Sequence, residues 1–176
     1  HVKKQDINNK IFIVHRLDRE TSGLMLFAKN EEVKRRLQDS WNDTVIERSY
    51  IAVVEGRFEK QEGVITSYLV EGKTFKAHSS QDPKRGKKAV TNYKVLKKSK
   101  DYSLLKVNLE TGRKNQIRVH MQDLGHSVIG DKKYGANGSP IKRLGLHAQQ
   151  LLFIHPITGK KMEFETKIPV AFLRLF

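Results

Sequence analysis

Two short apolar runs, Ile11 to Val14 and Leu24 to Ala28, flank a polar stretch from His15 to Gly23 and read as two strands joined by a loop. Asn30 then stands as a helix N-cap, with Glu31 and Glu32 where the first turn favours negative charge. Val33, Leu37 and Trp41 recur at helical spacing, which predicts an amphipathic helix over 31–41. Strand patterns follow. Ser49–Glu55 is rich in β-formers, Val64–Val70 is weaker, and Ala89–Leu96 with Ser103–Leu109 predicts a hairpin across a Lys-rich turn ending in Asp101. Leu105, Val107 and Leu109 alternate with Leu104, Lys106 and Asn108, as in a half-buried strand. Ile117, Met121 and Leu124 stand at i, i+4 and i+7, so a short helix is expected from Gln116 to Leu124, capped by Asn115 and stopped by Gly125. A strand is the alternative there, because Ile117 and Val119 also alternate. Leu146–Ile154 fits either strand or helix, and a Pro156–Gly159 turn leads to a strand over Met162–Thr166. Several strands with few helices predict an α+β fold with a mixed, mostly antiparallel sheet.

Composition narrows the class. The 176 residues carry 34 Lys and Arg against 19 Asp and Glu, a net charge of +15. The basic residues cluster at Lys84–Lys88, Lys94–Lys100, Lys132–Lys133 and Lys160–Lys161, with little acidic counterweight in the second half. Each cluster alone is an ordinary solvated loop. Together they point to a polyanion, and nucleic acid is the commonest. A membrane surface would call for a basic amphipathic helix with bulky apolar residues opposite, and none is present in the pattern. No apolar run reaches membrane-spanning length, and the polar start at His1 lacks a signal-peptide core, so a cytoplasmic protein is expected. Nothing in the pattern marks a large apolar interface, so a monomer is expected. The chain has no cysteine, which excludes a disulfide scaffold, a Cys nucleophile and any Cys-ligated metal. The histidines show no metal-binding spacing and read first as satisfied polar or core residues. No phosphate-binding Gly-rich loop and no dinucleotide fingerprint occurs, so neither a nucleotide cofactor nor any other cofactor is expected.

Two stretches could carry chemistry. His15-Arg16-Leu17-Asp18-Arg19-Glu20-Thr21-Ser22-Gly23 places acids, arginines and a histidine in a loop between apolar strands. Asp18 between Arg16 and Arg19 could be held ionised and act as nucleophile or base; a surface ion-pair loop is the equal alternative. In Arg113 through Arg118, Arg118 falls in the first turn of an electropositive helix end. That suits an RNA phosphate, a bidentate bond to a carboxylate such as Asp18, or a plain basic surface. Aromatics are sparse, but Tyr50 or Phe75 could stack on a single base.

The string from His15 to Gly23 resembles the signature of the RluA family of pseudouridine synthases. Three further strings agree in order: Arg48-Ser49-Tyr50-Ile51-Ala52-Val53-Val54-Glu55-Gly56; Thr111–Arg118 running on to Gly125, Gly130-Asp131 and Tyr134-Gly135; and Leu146-His147-Ala148 through His155-Pro156 to Pro169. The resemblance implies the pseudouridine synthase fold and isomerisation of uridine to pseudouridine in ribosomal large-subunit RNA or transfer RNA, without metal or redox cofactor. It implies Asp18 as the catalytic aspartate, Tyr50 stacked on the flipped uracil and assisting proton transfer, and Arg118 ion-paired with Asp18. Arg16 would fill the gap left by the extruded base. Arg19, Thr21, Arg113, Lys114, Gln116 and Lys132 would join Arg16 against RNA. Asn115 stands where the family usually has His. The family's first motif, a strand with a Lys-Pro-x-Gly turn, and the S4 domain of many members are not found before His15. Residues 1–176 are therefore expected to be an N-terminally incomplete catalytic domain. Two rivals remain: a non-catalytic, ribosome-associated RNA-binding protein, and a base-releasing glycosylase, which shares base flipping and a carboxylate but leaves an abasic site.

Overall fold

A computed structural model describes residues 10–72 and 76–176; Phe75, one of the two expected stacking aromatics, lies outside the described residues. Strands β1 (Phe12–Ile13) and β3 (Phe27–Ala28) pair antiparallel, and the polar loop runs between them. Helix α1 (Glu31–Asp39) follows, and its Asn30 cap accepts a 2.8 Å hydrogen bond from the Val33 N–H. The helix stops before Trp41, and a separate turn of helix, α2 (Trp41–Thr44), begins there. The break is local chemistry: the Ser40 hydroxyl donates to the Arg36 carbonyl at 2.7 Å and closes the first helix.

The main sheet is built from β4 (Val45–Glu55), β5 (Glu62–Glu71), β6 (Ala77–Ser80), β7 (Lys87–Lys98), β8 (Tyr102–Leu109), β9 (Leu146–Ile154) and β10 (Lys161–Glu165). Their order across the sheet is β10-β9-β4-β8-β7-β5-β6, with every neighbour antiparallel. One parallel pairing makes it mixed. Within the loop between β1 and β3, β2 (Ser22–Gly23) lies along His147 and Ala148 of β9. The expected hairpin forms between β7 and β8, with a register shift between Val95 and Lys97. Leu146–Ile154, open between strand and helix from its pattern, is a strand because it bridges β4 and β10 inside the sheet.

Helix α3 (Gln116–Asp123) lies on one face of the sheet, where Ile117 and Met121 join Ala52, Val54, Leu105 and Val107 in the principal core. The last helix, α4 (Val170–Leu173), lies on the other face and buries Phe172 against Ile51, Val53 and Leu104. Strand β8 is therefore covered on both sides where the helices overlap. Leu104 and Leu105 are 1% and 0% exposed, rather than alternating in and out. Leu124, expected on the inner stripe of α3, is instead 41% exposed. The helix ends at Asp123, and Gly125 turns the chain at φ +78°.

His120 ties α3 to the sheet. Gln116 donates to the Thr91 hydroxyl at 2.8 Å, so Thr91 donates to His120 Nδ1 at 2.8 Å. Nε2 is then the protonated nitrogen and donates to Ser67 at 2.9 Å. Burial pushes the ring down to about 4 from the usual 6.5. A neutral His120 therefore supports folding fully above pH 6.5. As pH falls toward 4, the unfolded chain takes up the proton first and about 3 kcal/mol is lost. Urea unfolding between pH 7 and pH 4 should show a steeper loss in the native chain than in His120→Asn, where His15 and His147, also lowered by burial, still contribute. A native chain with flat stability over that window would refute the assignment.

Candidate active site

The loop from His15 to Gly23 is pinned at both ends. At its start, the Leu26 N–H donates to His15 Nε2 at 2.9 Å, and the ring lies 4.9 Å from Trp41. At its end, Gly23 lies against β9 so closely that a Cβ there would meet the Ala148 carbonyl oxygen at 2.1 Å. Gly23 also has φ +116°, so only glycine fits this close approach. The Ser22 hydroxyl is held by His147 at 2.7 Å and by Arg143 at 2.5 Å. Between the two anchors, a turn from the Asp18 carbonyl to the Thr21 N–H presents Asp18 at the surface of a cleft.

Asp18 borders two cavities. One, about 410 Å³, is lined by Val14, Leu17, Thr21, Trp41, Arg48, Tyr50, Arg113 and Ile117 among others. The second, about 910 Å³, is a basic trough lined by Arg16, Arg19, Lys114, Arg118, Lys132, Lys133, Lys142 and Arg143, with Glu20 and Asp131 as its other acids. The left-handed non-glycine residues among those described, Glu20, Asn115 and Lys142, all line this trough. Strained backbone of this kind gathers where a site must be held against local preference.

Burial raises the Asp18 carboxyl above its usual range, and Asp131 adds to the rise. Arg118, the Asn115 N–H and Arg16 oppose it. Arg16 does favour the ionised form, as expected of a neighbouring cation, but loss of solvent is the larger effect. The Asn115 N–H reaches Asp18 Oδ1 at 3.4 Å. Asn115 sits at the helix N-cap position, but its side chain does not cap. Its φ of +57° turns the Oδ1 toward Arg118 Nη1, which donates at 2.7 Å.

Arg118 also departs from expectation, because it does not pair directly with Asp18. Its guanidinium forks onto Asp131, Nε to Oδ2 at 2.6 Å and Nη2 to Oδ1 at 2.8 Å. The Asp131 side chain is fully buried, and it also accepts from the Tyr134 N–H. The reason is geometric. The short 3-10 turn over Lys132–Tyr134 presents both carboxylate oxygens to the planar fork, whereas Asp18 meets only the backbone end of α3. The Tyr134 ring lies 4.8 Å from the guanidinium carbon and supports it from one face. Arg118 therefore acts on Asp18 through space, as a charge set in a rigid frame.

Tyr50 projects from β4 into the same cavity as Asp18. Burial and the nearby Asp18 raise its phenol above the usual range, against the pull of Arg48, so it keeps its proton at neutral pH. Arg16 is exposed at the mouth of both cavities, and Arg19 and Lys132 are exposed on the trough. Lys114 also lines the trough and pairs with Glu71. Arg113 borders the smaller cavity while its Nε donates to the Lys88 carbonyl at 2.9 Å. The Thr21 hydroxyl is buried at the cavity wall without a hydrogen-bond partner among the described residues. Gln116 is a correction to the expected RNA contacts. It is 2% exposed, and both ends of its amide are bonded to protein, to Val90, Thr91, Thr111 and Arg113. It shapes the loop before α3 rather than facing a ligand. Residue-by-residue reasoning passed over Arg48, Lys142 and Arg143; Arg48 and Asp131 stood inside recognised strings without a role.

No group of three His, Asp or Glu side chains suited to a metal occurs among the described residues. No helix among them is long and apolar enough to cross a membrane.

Comparison with known proteins agrees with this architecture. A ribosomal large subunit pseudouridine synthase D of Zymomonas mobilis is 37% identical over 173 residues, 93% of this chain and 55% of that protein. An uncharacterized RNA pseudouridine synthase of Bacillus subtilis is 37% identical over 169 residues, 96% of this chain and 59% of that protein. The chain thus spans a little over half the length of these relatives. The solved structure of human RNA Pseudouridylate Synthase Domain Containing 1 superposes with a TM-score of 0.79 at 25% identity, covering 91% of this chain and 70% of that one. A family profile described as RNA pseudouridylate synthase matches residues 2–123, which carry the Asp18 loop, Tyr50 and Arg118. From the match across most of its length and from its relatives, the chain belongs to the RNA pseudouridylate synthase family, in the RluA branch that its four strings resemble.

Proposed function

We propose that residues 1–176 act as the catalytic domain of an RNA pseudouridine synthase that isomerises uridine in structured RNA. The observation that carries this is the position of Asp18 on the wall between a cavity of about 410 Å³, large enough to admit a flipped pyrimidine, and a basic trough. RNA phosphates bind along the trough, and the target uridine leaves its stack and enters the cavity. Arg16, at the mouth of both, takes the place of the extruded base. Tyr50 stacks on the uracil. The Asp18 carboxylate then attacks the nucleotide, and the glycosidic bond breaks with its electron pair on the base. The base turns and rejoins through carbon 5, Asp18 is released as a carboxylate, and the proton of carbon 5 passes to water. Arg118, fixed by Asp131 and Asn115, and the Asn115 N–H keep Asp18 oriented and favour its ionised form.

The relative from Zymomonas mobilis is named for the ribosomal large subunit, which makes that RNA the first substrate to test and transfer RNA the second. The reaction releases the hydrogen on carbon 5, so transcripts labelled with [5-³H]uridine should lose tritium to water. Release is expected with the native chain and not with Asp18→Ala, and the transcript that responds identifies the substrate class. Binding without release would favour the non-catalytic RNA-binding reading. An abasic site in place of an isomer would favour the glycosylase.

A further inference from the structure

Arg48 differs from the other cations around Asp18. It precedes Tyr50 by two residues on β4, so the two side chains leave the same face of the strand, and both line the Asp18 cavity. Arg118 is forked onto Asp131, and Arg143 donates to Ser22 and to main-chain carbonyls. Arg48, although half-buried, makes no hydrogen bond or ion pair with any described residue. Burial disfavours its charge and its neighbour Arg113 repels it, with the nearby Tyr50 acting the other way, yet a guanidinium stays protonated at any working pH. Room for it is made by Gly112, where a Cβ would lie 2.5 Å from Nη1. A desolvated cation without a protein acceptor is unfavourable, and in a ligand cavity the substrate is the group that can satisfy it.

Two parts of a nucleotide offer acceptors, the phosphate and the base. The phosphate has its own place in the trough on the other side of Asp18, where Arg16, Arg19, Lys132 and Lys142 stand. The smaller cavity holds Arg48 and Tyr50, the aromatic side chain suited to stack on the base, and the acceptors of uracil are its two carbonyl oxygens. When the bond between C1′ and N1 breaks, its electron pair leaves with the base. The resulting uracil anion spreads its charge over N1 and both carbonyl oxygens. C5 then bonds to C1′, Asp18 is released as a carboxylate and the C5 proton passes to water, with no further reactant consumed. A donor on a carbonyl oxygen binds that anion more tightly than neutral uracil, and so lowers the barrier rather than merely strengthening binding.

Resting on the synthase reading above, we propose that Arg48 is a catalytic residue that hydrogen-bonds a carbonyl oxygen of the flipped uracil and stabilises the negative charge the base acquires as the glycosidic bond breaks. The test uses the full chain, the [5-³H]uridine transcripts and single-turnover conditions, with RNA affinity read by fluorescence anisotropy and folding by thermal melting. Arg48→Ala should slow tritium release by about 10²–10³-fold, the effect of removing one donor to a developing oxyanion. RNA affinity should stay at the native level, and the melting temperature at or above it, since a desolvated cation is removed. Arg48→Lys should retain part of the rate, and millimolar guanidinium chloride should restore part of it to Arg48→Ala, while neutral urea should not. A native rate in Arg48→Ala overturns the proposal, as does a parallel loss of rate and affinity, which would mark a phosphate contact. Absence of guanidinium rescue, or equal rescue by urea, also overturns it. A native chain that binds the transcripts but releases no tritium defeats the synthase reading itself, whereas a native chain and Arg48→Ala that turn over equally defeat only the role of Arg48.

Discussion

Asp18→Asn should abolish turnover, lowering tritium release by about 10⁴-fold or more, while RNA binding is kept. The substitution is isosteric and retains an acceptor for the Asn115 N–H, so the loop has no reason to move. Its effect on folding should be opposite to its effect on rate. Burial raises the Asp18 carboxyl, so the folded protein holds that proton to a higher pH than the unfolded chain. The ionised side chain is therefore a destabilising group above its folded pKa. The penalty shrinks as pH falls through the window down to the ordinary aspartate value, and Asp18→Asn lacks it. Asp18→Asn should melt at or above the native temperature at pH 7, and the difference should close in acid. The native rate should in turn lose activity in acid with a midpoint above the usual carboxylate range. A pH–rate profile of single-turnover tritium release and melts of both proteins measure these outcomes. A variant that keeps its rate removes Asp18 from the chemistry. A midpoint in the ordinary aspartate range would mean that the cations outweigh burial.

Arg118→Ala should cost both stability and rate, through Asp131. The Asp131 side chain is fully buried, and the Arg118 side chain is 11% exposed. Removing the cation leaves a carboxylate in the interior with the Tyr134 N–H as its remaining charge-stabilising bond. Breaking a buried pair from one side destabilises by about 3–5 kcal/mol, and for a chain of this size the melting temperature should fall by roughly 10 °C. Turnover should fall far more than RNA affinity, because Arg118, although it lines the trough, is nearly buried and committed to Asp131 while its charge bears on Asp18. Arg118→Ala combined with Asp131→Ala should recover stability relative to Arg118→Ala alone, since no unpaired charge remains, yet should not recover rate. Melting curves, anisotropy and tritium release on the three variants separate these effects. Equal losses of affinity and turnover would make Arg118 a phosphate contact, and a native melting temperature would deny the buried pair its structural weight.

Much of the fold was legible because periodicity and capping are local properties. Asn30 caps its helix, the β7–β8 hairpin forms, and α3 runs from Gln116 as its spacing predicts. Failures came where a second layer altered the environment of a residue. Leu104 alternates out of the core in the pattern, yet α4 covers that face of β8. Leu124 continues the stripe of α3, yet it lies past the last covered turn. Leu146–Ile154 was ambiguous because a strand buried between two neighbours has the same apolar run as a buried helix. The short strand β6 and helix α4 have too few residues for any period to show.

The site divides in the same way. The sequence by itself determined the family, the acidic loop and the basic excess, because these are carried by residue identity and order along the chain. It could not determine which charge meets which. Asp131 lies 113 positions from Asp18 in the chain, yet the turn at Lys132–Tyr134 brings it beneath Arg118 and takes the fork that the sequence offered to Asp18. Nor could it show that Gln116 faces inward, or that Arg48 has no hydrogen-bond or ion-pair partner among the described residues. Pairing, burial and the resulting shifts in acidity depend on distances of a few ångströms between segments far apart in sequence. Those distances exist only once the loop has been drawn onto β9 by Ser22 and Gly23 and α3 has packed across the sheet.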